Sequence, residues 1–218
     1  MKWNSDFAYC VGLITTDGNL SKDGRHIELT SKDIEQIQSF AKALHLTNKI
    51  GIKSSSYNPK AKYYRIQFGN AKLYRYLMRI GLTPNKTKTL GSLSIPDKFF
   101  ADFLRGHLDG DGFTFSYWDK RWKKSFMLYT GFTSASIDHL NWIKENINRL
   151  YNIDGKINFT GKSLFHLMYA KKASILLLGK MYHRQNILCL SRKKFKIDRA
   201  LDIIGQNAGM LKLVYRHA

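Results

Sequence analysis

One pattern is written twice in this chain, and the repetition limits what it can fold into. Residues 7–18 read FAYCVGLITTDG and residues 101–112 read ADFLRGHLDGDG. Each is an apolar stretch of helical length ending in Asp-Gly. Each places a glycine, Gly12 or Gly106, five residues before its aspartate, Asp17 or Asp111. Residues able to cap a helix stand upstream: Ser5 or Asp6 in the first copy, and Asp97, after Pro96, in the second. Self-similarity on this scale points to a duplicated supersecondary unit.

The segments after the two copies match as well. After Gly18, NLSKDGRHIELTS gives two short strand-like runs around a Lys-Asp-Gly turn. After Gly112, FTFSYWDKRWKKSFMLYTGFTSAS gives a longer hairpin with a basic, aromatic tip. Helices come next, with Ile34, Ile37, Ala41 and Leu44 on one face of the first and Leu140, Ile143, Ile147 and Leu150 at the same spacing in the second. Each half then has a second hairpin, KIGIKSSSYNPKAKYYRIQFG and GKINFTGKSLFHLMYA, and another helix, AKLYRYLMRIGL and KASILLLGKMYH. The order predicts an α+β chain of two pseudo-symmetric αββαββα half-domains, residues 1–93 and 94–218, joined around GSLSIPDK.

Charge narrows the partner. Lys and Arg number 36 against 16 Asp and Glu, a net charge of +20. Such a chain stores self-repulsion that an anionic partner relieves; nucleic acid leads because Lys and Arg displace counterions from phosphate, and a membrane surface or an acidic protein would also attract it. The basic residues run the whole length, which favours a broad contact surface over a basic tail. The two cysteines, Cys10 and Cys189, make no disulfide framework and no zinc spacing. The N-terminus reads as no signal peptide, and no apolar run reaches the roughly 20 residues of a membrane span. These features predict a soluble intracellular protein.

An aspartate at a helix end is also a potential metal ligand. Glycine after it can cap the helix in the left-handed region. Gly12 and Gly106 let two helices approach closely. Side by side, the motif helices would bring Asp17 and Asp111 to one end. Paired carboxylates repel, and a divalent cation relieves that repulsion. Hard oxygen ligands suit Mg²⁺.

Cys10–Gly18, CVGLITTDG, and Leu104–Gly112, LRGHLDGDG, resemble two copies of the LAGLIDADG motif, and the elements between them fall in that family's order. The resemblance implies a monomeric, two-motif homing endonuclease whose saddle-shaped antiparallel sheets lie over DNA, with the motif helices packed at the interface. It implies cleavage of both strands of a long, asymmetric double-stranded site across the minor groove, leaving short 3′ overhangs. It also implies Mg²⁺ as cofactor, with Mn²⁺ as a substitute and Ca²⁺ supporting binding without cleavage. The metal ligands would be Asp17 and Asp111, helped by the carbonyls of Thr16 and Gly110. The first motif departs from the family at Thr15, where an aspartate is common. Some relatives on this fold act instead as RNA maturases or DNA-binding regulators, and loss of a motif aspartate would mark that drift. Both aspartates are present here.

The same resemblance nominates Lys86, in GLTPNKTKTL, and Lys193, in NILCLSRKKFKI, as active-site lysines that hold the attacking water or offset charge on the phosphate. Gln67 is a further polar candidate, with Tyr169 as its counterpart in the second half. Strand alternation places base or phosphate contacts on the hairpins. In the first half these are Lys22, Arg25, Lys53, Ser55, Tyr57, Lys62 and Arg65. In the second they are Tyr117, Lys120, Arg121, Lys124, Lys156, Asn158 and Lys162. Trp118 and Trp122 flank the tip of the longer hairpin. His107, inside the second motif, is expected to pack.

Overall fold

The extended backbone of Asn4 starts the first helix: its side chain accepts a hydrogen bond from the Phe7 amide at 2.7 Å. The cap therefore falls one residue before Ser5. The structure, a computed structural model, describes residues 1–54, 62–122, 125–161 and 163–207. Helix α1 (Ser5–Thr16) is buried at nearly every position from Phe7 to Thr15, as a helix apolar all round must be.

Contacts divide the chain into two compact units, Met1–Gly110 and Asp111–Ala218. After α1 the first holds β1 (Gly18–Leu20), β2 (His26–Ser31), α2 (Ile34–Ala43), β3 (Gly51–Ser54), β4 (Lys62–Gly69), α3 (Ala71–Arg79) and α4 (Phe100–Asp109). Its antiparallel sheet runs β1-β2-β4-β3. The second holds β5 (Phe113–Trp118), β6 (Phe126–Ser134), α5 (Ile137–Tyr151), β7 (Lys156–Phe159), β8 (Phe165–Tyr169), α6 (Lys171–Met181) and α7 (Ser191–Asn207). Its sheet repeats the order as β5-β6-β8-β7. The turn expected at Lys-Asp-Gly closes the β1–β2 hairpin, with Gly24 at φ 78° and the Asp23 carboxylate accepting from the amides of Arg25 and His26, both at 3.1 Å.

Helix α4 starts a repeat in sequence but packs with the first unit, because it lies along α1. There the two backbones touch. A Cβ on Gly12 would fall 2.3 Å from the Phe103 carbonyl oxygen, and one on Gly106 would fall 2.1 Å from the Tyr9 carbonyl oxygen. Polar links run beside this seam. Asp102 accepts from Ser5 Oγ at 2.6 Å and from Arg105 at 2.8 Å, and Asp109 accepts from the Tyr9 hydroxyl at 2.8 Å. Burial and the neighbouring Asp109 push the Tyr9 phenol well up.

Three local expectations change. The second repeat opens on a 3-10 turn, Asp97–Phe99, so Asp97 does not cap α4 directly. The Asp-Gly glycines are not left-handed caps. Positive φ among described glycines occurs at Gly24, Gly81 and Gly161, whereas Asp17 closes α1 at φ −89°. Gly18 is needed for closeness instead, since a Cβ there would meet the Ile14 Cα at 2.5 Å. And α7 appears where the sequence suggested only a basic segment. It buries Ile197, Ala200 and Ile204, one helical face whose spacing is masked by the surrounding charges.

Replacing Gly12 or Gly106 with alanine should therefore force the helices apart. Overpacking of this kind costs about 1–3 kcal/mol or more, so each variant should lose several degrees in Tm by calorimetry. A variant that melts like the parent would contradict the backbone contact.

Candidate functional site

The end of the α1–α4 seam carries the first motif aspartate. Asp17 is half-buried at the end of α1. Gly110 closes α4, and a Cβ there would lie 1.9 Å from Thr16 Oγ1 and 3.1 Å from Asp17 Oδ2. The missing side chain keeps a space beside the Asp17 carboxylate. Asp111, exposed, is bonded directly to Gly110. The donor at this end of the first unit is a hard oxygen, the Asp17 carboxylate. That chemistry fits Mg²⁺ or Mn²⁺. Among the described residues no cluster of three or more His, Cys, Asp or Glu is placed to hold a metal ion.

The two nominated lysines occupy matching places in different local structures. Lys86 opens a 3-10 turn, Lys86–Lys88, and is only 7% exposed; its ammonium donates to the Gly18 carbonyl. Lys193 sits in the first turn of α7 and donates to the Gly112 carbonyl at 2.8 Å. Each lysine thus binds the carbonyl of the glycine directly after a motif aspartate. His107 is buried in α4 with its ring 6.1 Å from that of Phe103, as a packing histidine.

The strand registers sort the remaining candidates. In the first sheet Ile27, Leu29, Ile66 and Phe68 face the helices, so Glu28, Arg65, Gln67 and Lys53 share the opposite face. Glu28 lies between two of the predicted cations, 3.3 Å from Lys53 and 3.5 Å from Arg65. Lys62 alternates to the same side as Tyr64 and Ile66, not to the side of Arg65, because an odd spacing reverses the face. Lys22 and Arg25 are exposed at the β1–β2 turn. Gln67, exposed opposite Glu28, has Met168 as its register equivalent, since each lies in line with the first residue after the motif Asp-Gly, Asn19 or Phe113. Tyr169 is the equivalent of buried Phe68 instead, and burial raises its phenol.

In the second sheet Tyr117, Lys156 and Asn158 lie on the face away from α5 and α6, together with Phe113, Phe115, Tyr129 and His166. Lys120 and Arg121 are exposed at the hairpin turn, where Arg121 pairs with Asp119 at 3.3 Å. Trp118 packs edge-on against Phe126, 5.1 Å between centroids, and Trp122 is 70% exposed. Ser55, Tyr57, Lys124 and Lys162 lie outside the described residues. Sequence analysis did not single out the buried Asp102, Arg105 and Asp109, whose spacing along one face of α4 was the available signal.

Residues 4–81 match the family model of the LAGLIDADG-like domain. The fold of the whole chain is shared with LAGLIDADG homing endonucleases. The endonuclease I-WcaI, solved bound to its DNA recognition sequence, aligns with a TM-score of 0.61 at 14% identity, covering 89% of this chain and 88% of that one. I-DmoI, solved in complex with DNA and Mn, aligns with a TM-score of 0.53 at 17% identity, over 83% of this chain and 98% of that one. Full-length DUF199/WhiA from Thermatoga maritima aligns with a TM-score of 0.57 at 15% identity over 93% of this chain, which spans 62% of that protein's length. No curated protein matches the sequence. Among the described residues no helix is long and apolar enough to cross a membrane.

The two lysine contacts differ in burial, and that difference is measurable. Lys86→Met should lower the unfolding free energy by about 1–3 kcal/mol, the usual cost of stranding a buried hydrogen-bond partner, and Lys193→Met by less than about 1.5 kcal/mol. Urea titrations giving the reverse order would rule out the buried Lys86 contact.

Proposed function

We propose that this chain is a site-specific endonuclease that hydrolyses both strands of double-stranded DNA. The observation that carries the reading is the matched pair of contacts, Lys86 on the Gly18 carbonyl and Lys193 on the Gly112 carbonyl, each beside a motif aspartate. A plain helix-capping role for two Asp-Gly pairs gives no reason for a lysine to be fixed at the same carbonyl in both repeats. The DNA-bound state of I-WcaI and the DNA and Mn of I-DmoI support duplex DNA and a divalent ion as partners.

In this reading Asp17 and Asp111, with the carbonyls of Thr16 and Gly110, would hold the metal. Bound there, Mg²⁺ or Mn²⁺ supplies Lewis-acid polarisation of the phosphate and neutralises charge on the leaving oxygen. Lys86 and Lys193, held in place by their carbonyl anchors, would orient the attacking water or stabilise the phosphorane. Gln67 adds an amide to the strand face in the first repeat alone. Lys53 and Arg65, set by Glu28, and Lys22 and Arg25 contact one part of the target. Tyr117, Lys120, Arg121, Lys156 and Asn158 contact the other. The second hairpin is the longer and more aromatic, so the two repeats read different sequences and a single chain recognises a long asymmetric site. We keep 93/94 as the boundary of the repeats and the monomer as the working form.

Asp17→Asn or Asp111→Asn should reduce cleavage of a site-bearing plasmid by at least about a thousandfold while leaving duplex binding within about threefold. Full binding by a parent protein that never cuts with Mg²⁺ or Mn²⁺ would favour a DNA-binding regulator on this fold, and retained RNA splicing assistance a maturase. Lys86→Met and Lys193→Met should each slow nicking of one strand more than the other. Equal, unimpaired nicking of both strands would remove the lysines from the chemistry.

A further inference from the structure

Two features peculiar to the second unit enclose a cleft. Its leading hairpin is longer, with β5 running Phe113–Trp118 where β1 stops at Leu20. And α7 stands where the first unit has the Lys86–Lys88 turn. Register sorts β5 into two faces. Thr114, Ser116 and Trp118 pair with Thr130, Leu128 and Phe126, all three of them buried, so this set looks toward the helices. The rings of Phe115 and Tyr117 alternate to the outer face, away from α7. Helix α7 packs on the inner side, and a cleft of about 480 Å³ remains between it and the hairpin.

The chemistry of the cleft changes along its length. Lys193 holds the Gly112 carbonyl at 2.8 Å, which sets the start of α7 at the foot of β5. Counting away from that foot, the strand side runs from the hydroxyls of Thr114 and Ser116 to the indole of Trp118. The helix side runs from Lys196 and Arg199 to Ile203. Trp118 packs edge-on against Phe126 yet stays 45% exposed. Lys196 and Arg199 are exposed, and among the described residues neither forms an ion pair, whereas Lys194 is taken by Asp198. Cations and hydroxyls thus come first, and apolar side chains follow.

The volume falls within the roughly 300–1,000 Å³ of small-molecule sites, which are mostly apolar with a few polar groups to fix orientation. The planar fork of arginine suits a carboxylate, and aromatic rings cover an apolar body. We propose that this cleft binds a small organic carboxylate with an apolar body, its acid head held by Lys196 and Arg199 and its body laid along Trp118, Phe126 and Ile203. The site lies within the second unit, on the side of the sheet opposite the face of Tyr117, Lys156 and Asn158. It does not rest on the nuclease reading.

The test titrates the full chain with octanoate, octanol and acetate by calorimetry at about 0.15 M salt. Octanol keeps the body without the charge, and acetate keeps the charge without the body. Octanoate should bind at least roughly tenfold tighter than either, since head and body each contribute. Lys196→Gln with Arg199→Gln should bring octanoate down to the affinity of octanol. Ser116→Phe, which places a ring in the cleft from an exposed strand position, should abolish octanoate binding. Lys172→Gln with Lys180→Gln, an equal loss of charge from exposed positions of α6, should leave the affinity within about twofold. Octanoate binding no tighter than octanol or acetate overturns the proposal. So does an α6 variant weakened as much as the α7 variant, which would make the overall charge the binder. If Ser116→Phe does not fold by circular dichroism, intermolecular NOEs from octanoate to the parent chain decide. NOEs to Trp118 and Ile203 support the site, and NOEs only to other residues overturn it. Duplex cleavage is scored separately, so loss of carboxylate binding and loss of nuclease activity are read independently.

Discussion

Two glycines pressed against a neighbouring backbone hold the first unit in register. Gly12 and Gly106 leave no room for a methyl group where α1 and α4 meet. Because the contact is main chain on main chain, a small change in helix separation would shift every group carried at the helix ends. The polar links among Ser5, Tyr9, Asp102, Arg105 and Asp109 run along the same seam and oppose sliding. Such a buried network resists being half-made, since each unpaired member would carry its full desolvation cost. Closeness from the glycines and register from the hydrogen bonds together fix where Thr16, Asp17 and Gly110 stand.

The anchoring of the lysines shows the same economy of parts. Lys86 arrives on a short 3-10 turn and Lys193 on the first turn of a long helix, yet both end on the carbonyl after a motif aspartate. The surrounding structures have diverged while the contact has not. A position reached by two routes is defined by what it touches.

Much of this was legible in the primary structure. The paired glycines, the Asp-Gly ends and both pairs of hairpins came from spacing, and the fold keeps to that plan; the two lysines came from the family resemblance. The losses have physical causes. Lys62 and Arg65 were placed on one face although an odd separation puts them on two. Tyr169 was matched to Gln67 by position in the segment, while register matches Met168, because only pairing fixes which way a strand faces. Helix α7 was hidden since its apolar stripe of Ile197, Ala200 and Ile204 is thin among charges. Gly18 was assigned to a dihedral need when steric closeness to Ile14 was the cause, and periodicity alone does not distinguish those two demands.

The grouping of α4 with the first unit bears on where the chain can be divided. The sequence repeat restarts upstream of α4, but α1 already has α4 as its partner within Met1–Gly110. Cutting at the start of the repeat would strip the cover from an almost wholly apolar helix and leave its glycine notch facing water. Cutting after Gly110 would keep that surface closed. Exchange of recognition modules between relatives of this fold is therefore better made at the end of the second motif helix than at the linker before it.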